Sequence, residues 1–336
     1  MGRYVIRRVL QFIPTVLGTM FLLHYITSLG IQLTGNPVRA LFGDRTPTPA
    51  MLAALSERLN MNDPCLTQTG NPCFGLFAER IGNIAQWDFG ISLVGQREVT
   101  DIIANALPYT VRLAVIGFLF EAIVGVVAGV LAGLRSGGFV DYFVKISTTL
   151  IIAVPIFVLG IVIREFVGVK FGNTLRSDPS FPEIISRGIF SAGYKPDYPW
   201  ASLVIPGLVL GATSLAVTAR LTRTSMMENV RADYVRTARA KGLMQRRIVG
   251  VHTLRNSLIP VVTSLGVDLG VLMGGAVVTE TIFNVPGIGR VAAQSARTGD
   301  ASVVIGIVTL AALIFLVANL LVDILYAVLD PRIRYE

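Results

Sequence analysis

Four carboxyl groups lie inside or beside long apolar runs of the sequence: Glu121, Asp268, Glu280 and Asp323. A charge at the centre of a bilayer costs on the order of 2.5–3.5 kcal/mol, so each carboxyl has to face something polar. Asp268 is a candidate for lining a path, where it could meet an amino group or water. The alternative is a hydrogen bond or ion pair between helices. Glu280 is a second candidate for lining such a polar path, although with the PGIGR turn it also fits a structural role at the end of its run.

Motifs for catalysis are missing from the sequence. It contains no GxxxxGK[ST], HExxH or GxSxG pattern, and its two histidines, His24 and His252, belong to no metal-spaced cluster. We therefore expect a non-enzymatic chain without a cofactor or a metal. If ATP drives this protein, the nucleotide and its magnesium bind to another chain.

The two cysteines, Cys65 and Cys73, are eight residues apart in NDPCLTQTGNPC. A pair between Pro and Gly residues on the outer face of a membrane protein indicates a disulfide. Two free thiols or a metal site are the alternatives, but no histidine or third cysteine lies nearby to complete a zinc set.

A basic segment follows the fourth apolar run: nine Lys/Arg occur between Arg220 and Arg255, opposed by two acidic residues. Asp233 could cap a helix over about 234–241, with basic residues at its negative end. Gly242 suits the left-handed residue that ends such a helix. A second helix from about Met244 would lead into the next apolar run. The segment is either a rigid projecting knob or a plain basic loop.

The composition of the chain indicates that the carboxyl groups and the basic segment belong to a membrane protein. Of 336 residues, 53% are hydrophobic and only 15% are charged, with a mean hydropathy of +0.66, whereas soluble domains carry about 25% charged residues. Several runs reach the roughly 20 residues that cross a bilayer as a helix. We predict an all-α polytopic membrane protein with six transmembrane helices at about 9–29, 110–134, 143–167, 201–219, 258–283 and 303–327.

The net charge of +8 reflects the orientation of the chain in the membrane and does not indicate nucleic-acid binding. Basic residues beside spans stay on the cytoplasmic side, which places both termini and a loop over 220–257 in the cytoplasm. The chain then divides into an N-terminus and first helix (1–29), an extracytoplasmic subdomain (30–108) and a five-helix core (109–336). The first run is too long for a signal peptide.

The basic segment resembles the EAA loop, E-A-A-x3-G-x9-I-x-L-P, of binding-protein-dependent ABC importer permeases. With Gly242 as the anchor, the motif falls on Arg236, Thr237 and Ala238, then on His252, Leu254 and Arg255; only Ala238, Gly242 and Leu254 match its general form. The sequence DYVRTARAKGL, followed by HTLRNSLIP, is similar to the corresponding segment of permeases in the peptide/nickel branch of that family. RYVIRRVLQFIPT, DFGIS, ALPYTVRL, VPIFVLG, ETIFNVPGIGR and LYAVLDPRIR, in that order, also resemble family landmarks.

The resemblance implies a type I importer permease fold in a bacterial plasma (inner) membrane. It implies a second, non-identical permease, two ATPase subunits and an extracytoplasmic solute-binding protein as partners. It also implies that the loop, including Arg239 and Lys241, docks into the ATPase and couples hydrolysis to movement. Short peptides are the expected solutes; glutathione, haem or nickel chelates are the alternatives.

A secondary transporter or a channel is the competing class. Such a protein would carry its own midplane site and commonly an internal repeat. The sequence contains no convincing repeat, and a cytoplasmic knob would have no purpose there. The 233–256 loop discriminates the two classes, since only an importer requires it to bind another protein.

Overall fold

A computed structural model describes residues 2–34, 48, 49, 53, 56, 63–92, 94–273 and 276–329. Within these residues the regular structure is helical, apart from one isolated β-bridge between Ile91 and Glu98. The helices are α1 (Gly2–Thr34), α2 (Phe74–Ala85), α3 (Val99–Leu134), α4 (Phe139–Ala153), α5 (Ile156–Ser177), α6 (Val204–Val230), α7 (Asp233–Ala240), α8 (Gln245–Met273), α9 (Val277–Ile282), α10 (Ile288–Thr298) and α11 (Ala301–Leu329).

Five of the described helices, α1, α3, α6, α8 and α11, are long and apolar enough to cross a membrane, and the bent pair α4–α5 makes a sixth span if counted as one. The helical fold class is as the sequence predicts. The side chains that these helices leave exposed are largely apolar, including Leu22, Ile146 and Leu321, as expected where lipid is the solvent.

The third span, predicted over 143–167, is not one continuous helix. The chain bends by 102° between α4 and α5. Pro155 lacks the N–H that would continue the helix, and Val154 before it is extended (φ −91°, ψ 124°). The proline therefore breaks this span into two arms.

Several helices differ in extent from the predicted spans; α6, for example, continues to Val230 instead of ending at 219. The second span begins at Val99 instead of about 110, because Val99, Ile103 and Ala106 form a buried stripe against α10 and α11. The apolar residues of this stripe are separated by polar residues, so they form no continuous apolar run in the sequence. The fifth span ends at Met273 instead of 283, and the chain continues in the separate short helix α9.

Helix α6 is the centre of the bundle and packs against α3, α4, α5 and α8. Its contact with α3 is very close, because glycines lie at four- or eight-residue intervals on one face of α3: Gly117, Gly125, Gly129 and Gly133. A Cβ on Gly129 would lie 2.5 Å from the carbonyl oxygen of Ala219 on α6. Small residues thus let two membrane helices touch backbone to backbone.

The described part of the segment between the first two spans packs on α1. The ring of Phe21 contacts Phe74 and Phe77 at centroid distances of 5.3 and 5.2 Å. The side-chain amide of Gln32 donates to the carbonyl of Asn71 at 2.8 Å. These contacts fix α2 and the turn before it to one half of α1.

Candidate functional site

The basic loop projects from the bundle as helix α7, but Asp233 does not cap it. Ala232 is the N-cap residue, and no side chain accepts a hydrogen bond from the first turn. Asp233 is the first helical residue, and its carboxylate accepts a 3.4 Å hydrogen bond from Arg236. The predicted cap is wrong by one position; the acidic residue still faces the positive end of the helix.

Helix α7 ends as the sequence predicts, at a left-handed glycine. Gly242 has a φ of +73° and donates from its amide to the carbonyl of Arg239 at 2.9 Å. The amide of Leu243 then donates to the carbonyl of Ala238 at 3.3 Å. These bonds fold the chain back, so that α8 starts beside α7.

The loop has a small hydrophobic core of its own. Val235 and Ala238 on α7 are buried against Ile248 on α8, with Leu243 packed over them. The opposite face carries exposed cations, Arg236, Arg239 and Lys241, with the exposed Met244 beside them. Helix α7 therefore has a small core on one face and exposed cations on the other.

The loop joins the bundle at the start of α8. His252 and Leu254 are half-buried and Arg255 is exposed. One turn further, the hydroxyl of Ser257 donates to the carbonyl of Ser225 on α6 at 3.2 Å. The start of α8 is therefore tied to α6 directly after the loop.

Glu280 is fully buried in a clasp between α3, α9 and α10. Its Oε1 accepts a 2.6 Å hydrogen bond from Thr110, and its Oε2 accepts one of 2.9 Å from the Arg290 amide. Gly287 leaves room for the carboxylate, because a Cβ there would lie 2.4 Å from Glu280 Oε1. In this conformation Glu280 holds the turn before α10, which is the structural role of the two that the sequence leaves open.

Asp268 lies on α8, where it is half-buried. Its Oδ2 accepts a long 3.5 Å hydrogen bond from Ser264, and its carboxyl faces that of Glu121 on α3. The structure thus brings together two of the four carboxyls named above. The side chain of Asp323 lies outside the described residues.

Cys65 and Cys73 form a disulfide with a Cα–Cα distance of 5.5 Å. The carbonyl of Cys73 is 3.2 Å from Nε2 of the buried His24. The pair therefore closes a turn that sits directly on α1.

The sequence does not indicate the hydrogen-bond partners of the buried carboxyl groups. Thr110 and Thr218 are the hydroxyl donors to Glu280 and Glu121, and Asp141 on α4 accepts from Arg223 on α6 at 3.0 Å. A threonine in an apolar helix gives no distinct signal. The glycines four residues before and after Glu121 are the sequence signal that indicates a close helix contact there.

A cavity of about 740 Å³ lies between α5, the segment before α6 and Asn284. Four cations and two carboxylates line it. One of the cations, Arg164, donates to the carbonyl of Ala192 at 3.2 Å. The charged lining is Arg164, Arg176, Arg187, Lys195, Glu183 and Asp197.

Residues 125–335 match the family described as the binding-protein-dependent transport system inner membrane component. This chain belongs to that family.

Known relatives span the whole chain. The dipeptide transport system permease protein of Alkalihalophilus pseudofirmus is 34% identical, over 99% of each chain. The di/tripeptide permease protein of Pseudomonas aeruginosa is 34% identical over 99% of each, and the glutathione permease protein of Escherichia coli (strain K12) 33% over 100% of each.

A solved structure has the same fold. A chain of the inward-facing methionine ABC transporter MetNI matches with a TM-score of 0.51 at 18% identity, covering 68% of this chain and 96% of that chain. The likeness establishes an ABC importer permease fold and leaves the solute open.

Proposed function

We propose that this chain forms, with a second, homologous permease subunit, the path for short peptides through an ATP-driven importer. The observation that carries the proposal is full-length similarity to permeases named for dipeptides, di/tripeptides and glutathione. Glutathione is itself a tripeptide, so one solute class covers all three names. Haem and nickel chelates are the competing solutes.

The knob formed by α7 and the start of α8 is the proposed dock for an ATPase subunit. Its rigid core and exposed cations support this role, because a docking element has to transmit force without bending. ATP and magnesium belong to the two ATPase subunits. An extracytoplasmic solute-binding protein would deliver the peptide on the opposite side, with both termini of this chain in the cytoplasm.

A charge reversal in the knob tests the dock. Arg239→Glu removes an exposed cation from α7, while Arg135→Glu makes the same change at an exposed arginine after α3. We expect Arg239→Glu to lose co-purifying ATPase while the permease pair stays assembled, and Arg135→Glu to retain it. Equal retention in both variants would contradict the dock.

Uptake of labelled dipeptides into proteoliposomes containing the complete transporter tests the solute. We expect ATP-dependent uptake that unlabelled di- and tripeptides inhibit and that haem or a nickel chelate does not. Inhibition by haem alone would overturn the peptide assignment and leave the family unchanged.

Asp268 remains a proposed path residue. Asp268→Asn keeps the shape of the side chain and removes its charge, so we expect slower peptide uptake by a complex that still assembles. Asp101→Asn, at an exposed carboxylate on α3, is the control. Unchanged uptake by Asp268→Asn would remove the support for a path role.

A further inference from the structure

Glu121 lies on α3 at a point in the four-residue spacing where the neighbouring positions are glycines. It lies four residues after Gly117 and four before Gly125, on the face that touches α6. At this point α3 widens into a π-helical turn over Glu121–Gly125, as α5 and α8 do over Arg164–Phe171 and Ile248–Thr253. The side chain is 0% exposed.

Only half of this carboxyl is satisfied. Its Oε1 accepts a 2.7 Å hydrogen bond from Thr218 on α6. Its Oε2 is buried without a hydrogen-bond donor, and a buried polar atom without a partner is costly. A hydrogen-bond donor facing Oε2 would remove this cost.

The group facing this carboxyl is a second acid. Asp268 lies on α8, which packs against α3, and its carboxyl interacts with that of Glu121. Among the described residues no lysine, arginine or histidine pairs with either acid, and the remaining polar neighbours are the hydroxyls of Thr218 and Ser264. Two neighbouring carboxylates, one of them fully buried, cannot both carry charge without a large cost.

We propose that Glu121 and Asp268 bind one proton between them, as a carboxylic acid hydrogen-bonded to a carboxylate. The proton on Oε2 of Glu121 would donate to an oxygen of Asp268, satisfying the unpartnered atom and leaving one negative charge on the pair. A metal ion is a poorer occupant, because the described residues contain no group of three acidic, His or Cys side chains around one point.

The proton would connect α3 to α8, the helix that begins in the knob. Separating these helices would leave a buried acid without its acceptor, whereas losing the proton would set two negative charges against each other. The pair is therefore a proton-dependent contact within the bundle, whichever solute passes through it.

Infrared spectroscopy of the complete transporter in lipid nanodiscs tests the proposal directly, because the C=O stretch of a protonated carboxyl is distinct from the stretches of a carboxylate. Glu121→Gln is the informative variant, since its amide can still accept from Thr218 and donate to Asp268. Glu165→Gln, at an exposed residue of α5, is the control. At neutral pH we expect a protonated-carboxyl band in the wild type and the control that is absent from Glu121→Gln.

Three results would overturn the proposal: no such band in the wild type at neutral pH, an unchanged band in Glu121→Gln, or a band that appears only after sodium and potassium are removed. The last would assign the site to a metal cation. If Glu121→Gln failed to assemble, alkaline titration of the wild type decides: the band should disappear reversibly, and its persistence would contradict an exchangeable proton.

Discussion

Thr110 and Glu280, 170 residues apart, are joined by a buried 2.6 Å hydrogen bond, and the Thr110 hydroxyl also accepts 2.9 Å from the Ile288 amide. Thr110→Val would leave both partners unpaired, at a cost of about 1–3 kcal/mol each. We expect a clear fall in the thermal stability of the purified complex. Thr281→Val is the control, since that exposed hydroxyl bonds only within its own helix. Equal melting temperatures in the two variants would refute a stabilising clasp.

The approach of α3 to α6 at Gly129 predicts sensitivity to a single methyl group. Gly129→Ala places its Cβ 2.5 Å from Ala219 O and from Cβ of Thr222, and overpacking of this kind costs typically 1–3 kcal/mol. Gly18→Ala on α1 meets nothing within 4 Å and should be neutral or slightly stabilising, because alanine favours a helix. Size-exclusion chromatography and thermal unfolding compare the two variants. A stable, monodisperse Gly129→Ala protein would show that the helices can separate without cost.

The apolar runs predicted the helical class because about 20 apolar residues have few other stable states. The apolar runs did not predict where α3 begins. Asp101 and Asn105 interrupt the first turns of α3, so its apolar residues form a stripe on one face instead of a continuous run. Pro155 was visible in the sequence, but the 102° angle of the bend depends on tertiary packing.

The candidate site was predictable to the extent that it is local. The left-handed Gly242 follows from helix-ending chemistry within a few residues. The cap at Asp233 failed because helix starts are uncertain by a residue or two. The contacts of Glu121 and Glu280 join distant helices, and one sequence contains no distance between them.

The disulfide predicts both local stability and sidedness. Closing a loop of this length stabilises by roughly 2.5 kcal/mol in the chain-entropy model. Reduction, or the double change Cys65→Ser and Cys73→Ser, should therefore loosen the turn from α1 and increase protease cleavage near α2. The chain has two cysteines, so a membrane-impermeant maleimide should label intact cells only after reduction. Labelling that requires permeabilised cells would contradict an extracytoplasmic location.

Gly242 and Gly250 offer a matched pair of substitutions in the knob. A Cβ would meet nothing within 4 Å at either glycine, but only Gly242 has a positive φ, of +73°. Alanine in that region costs roughly 1–2 kcal/mol, so Gly242→Ala should tilt or fray the end of α7 whereas Gly250→Ala should not. We expect lower peptide-stimulated ATP hydrolysis in the Gly242→Ala transporter and wild-type activity in Gly250→Ala. If both variants hydrolyse ATP at the wild-type rate, the turn geometry of the knob does not matter for coupling. If both lose activity, small size at these positions matters instead of the left-handed backbone.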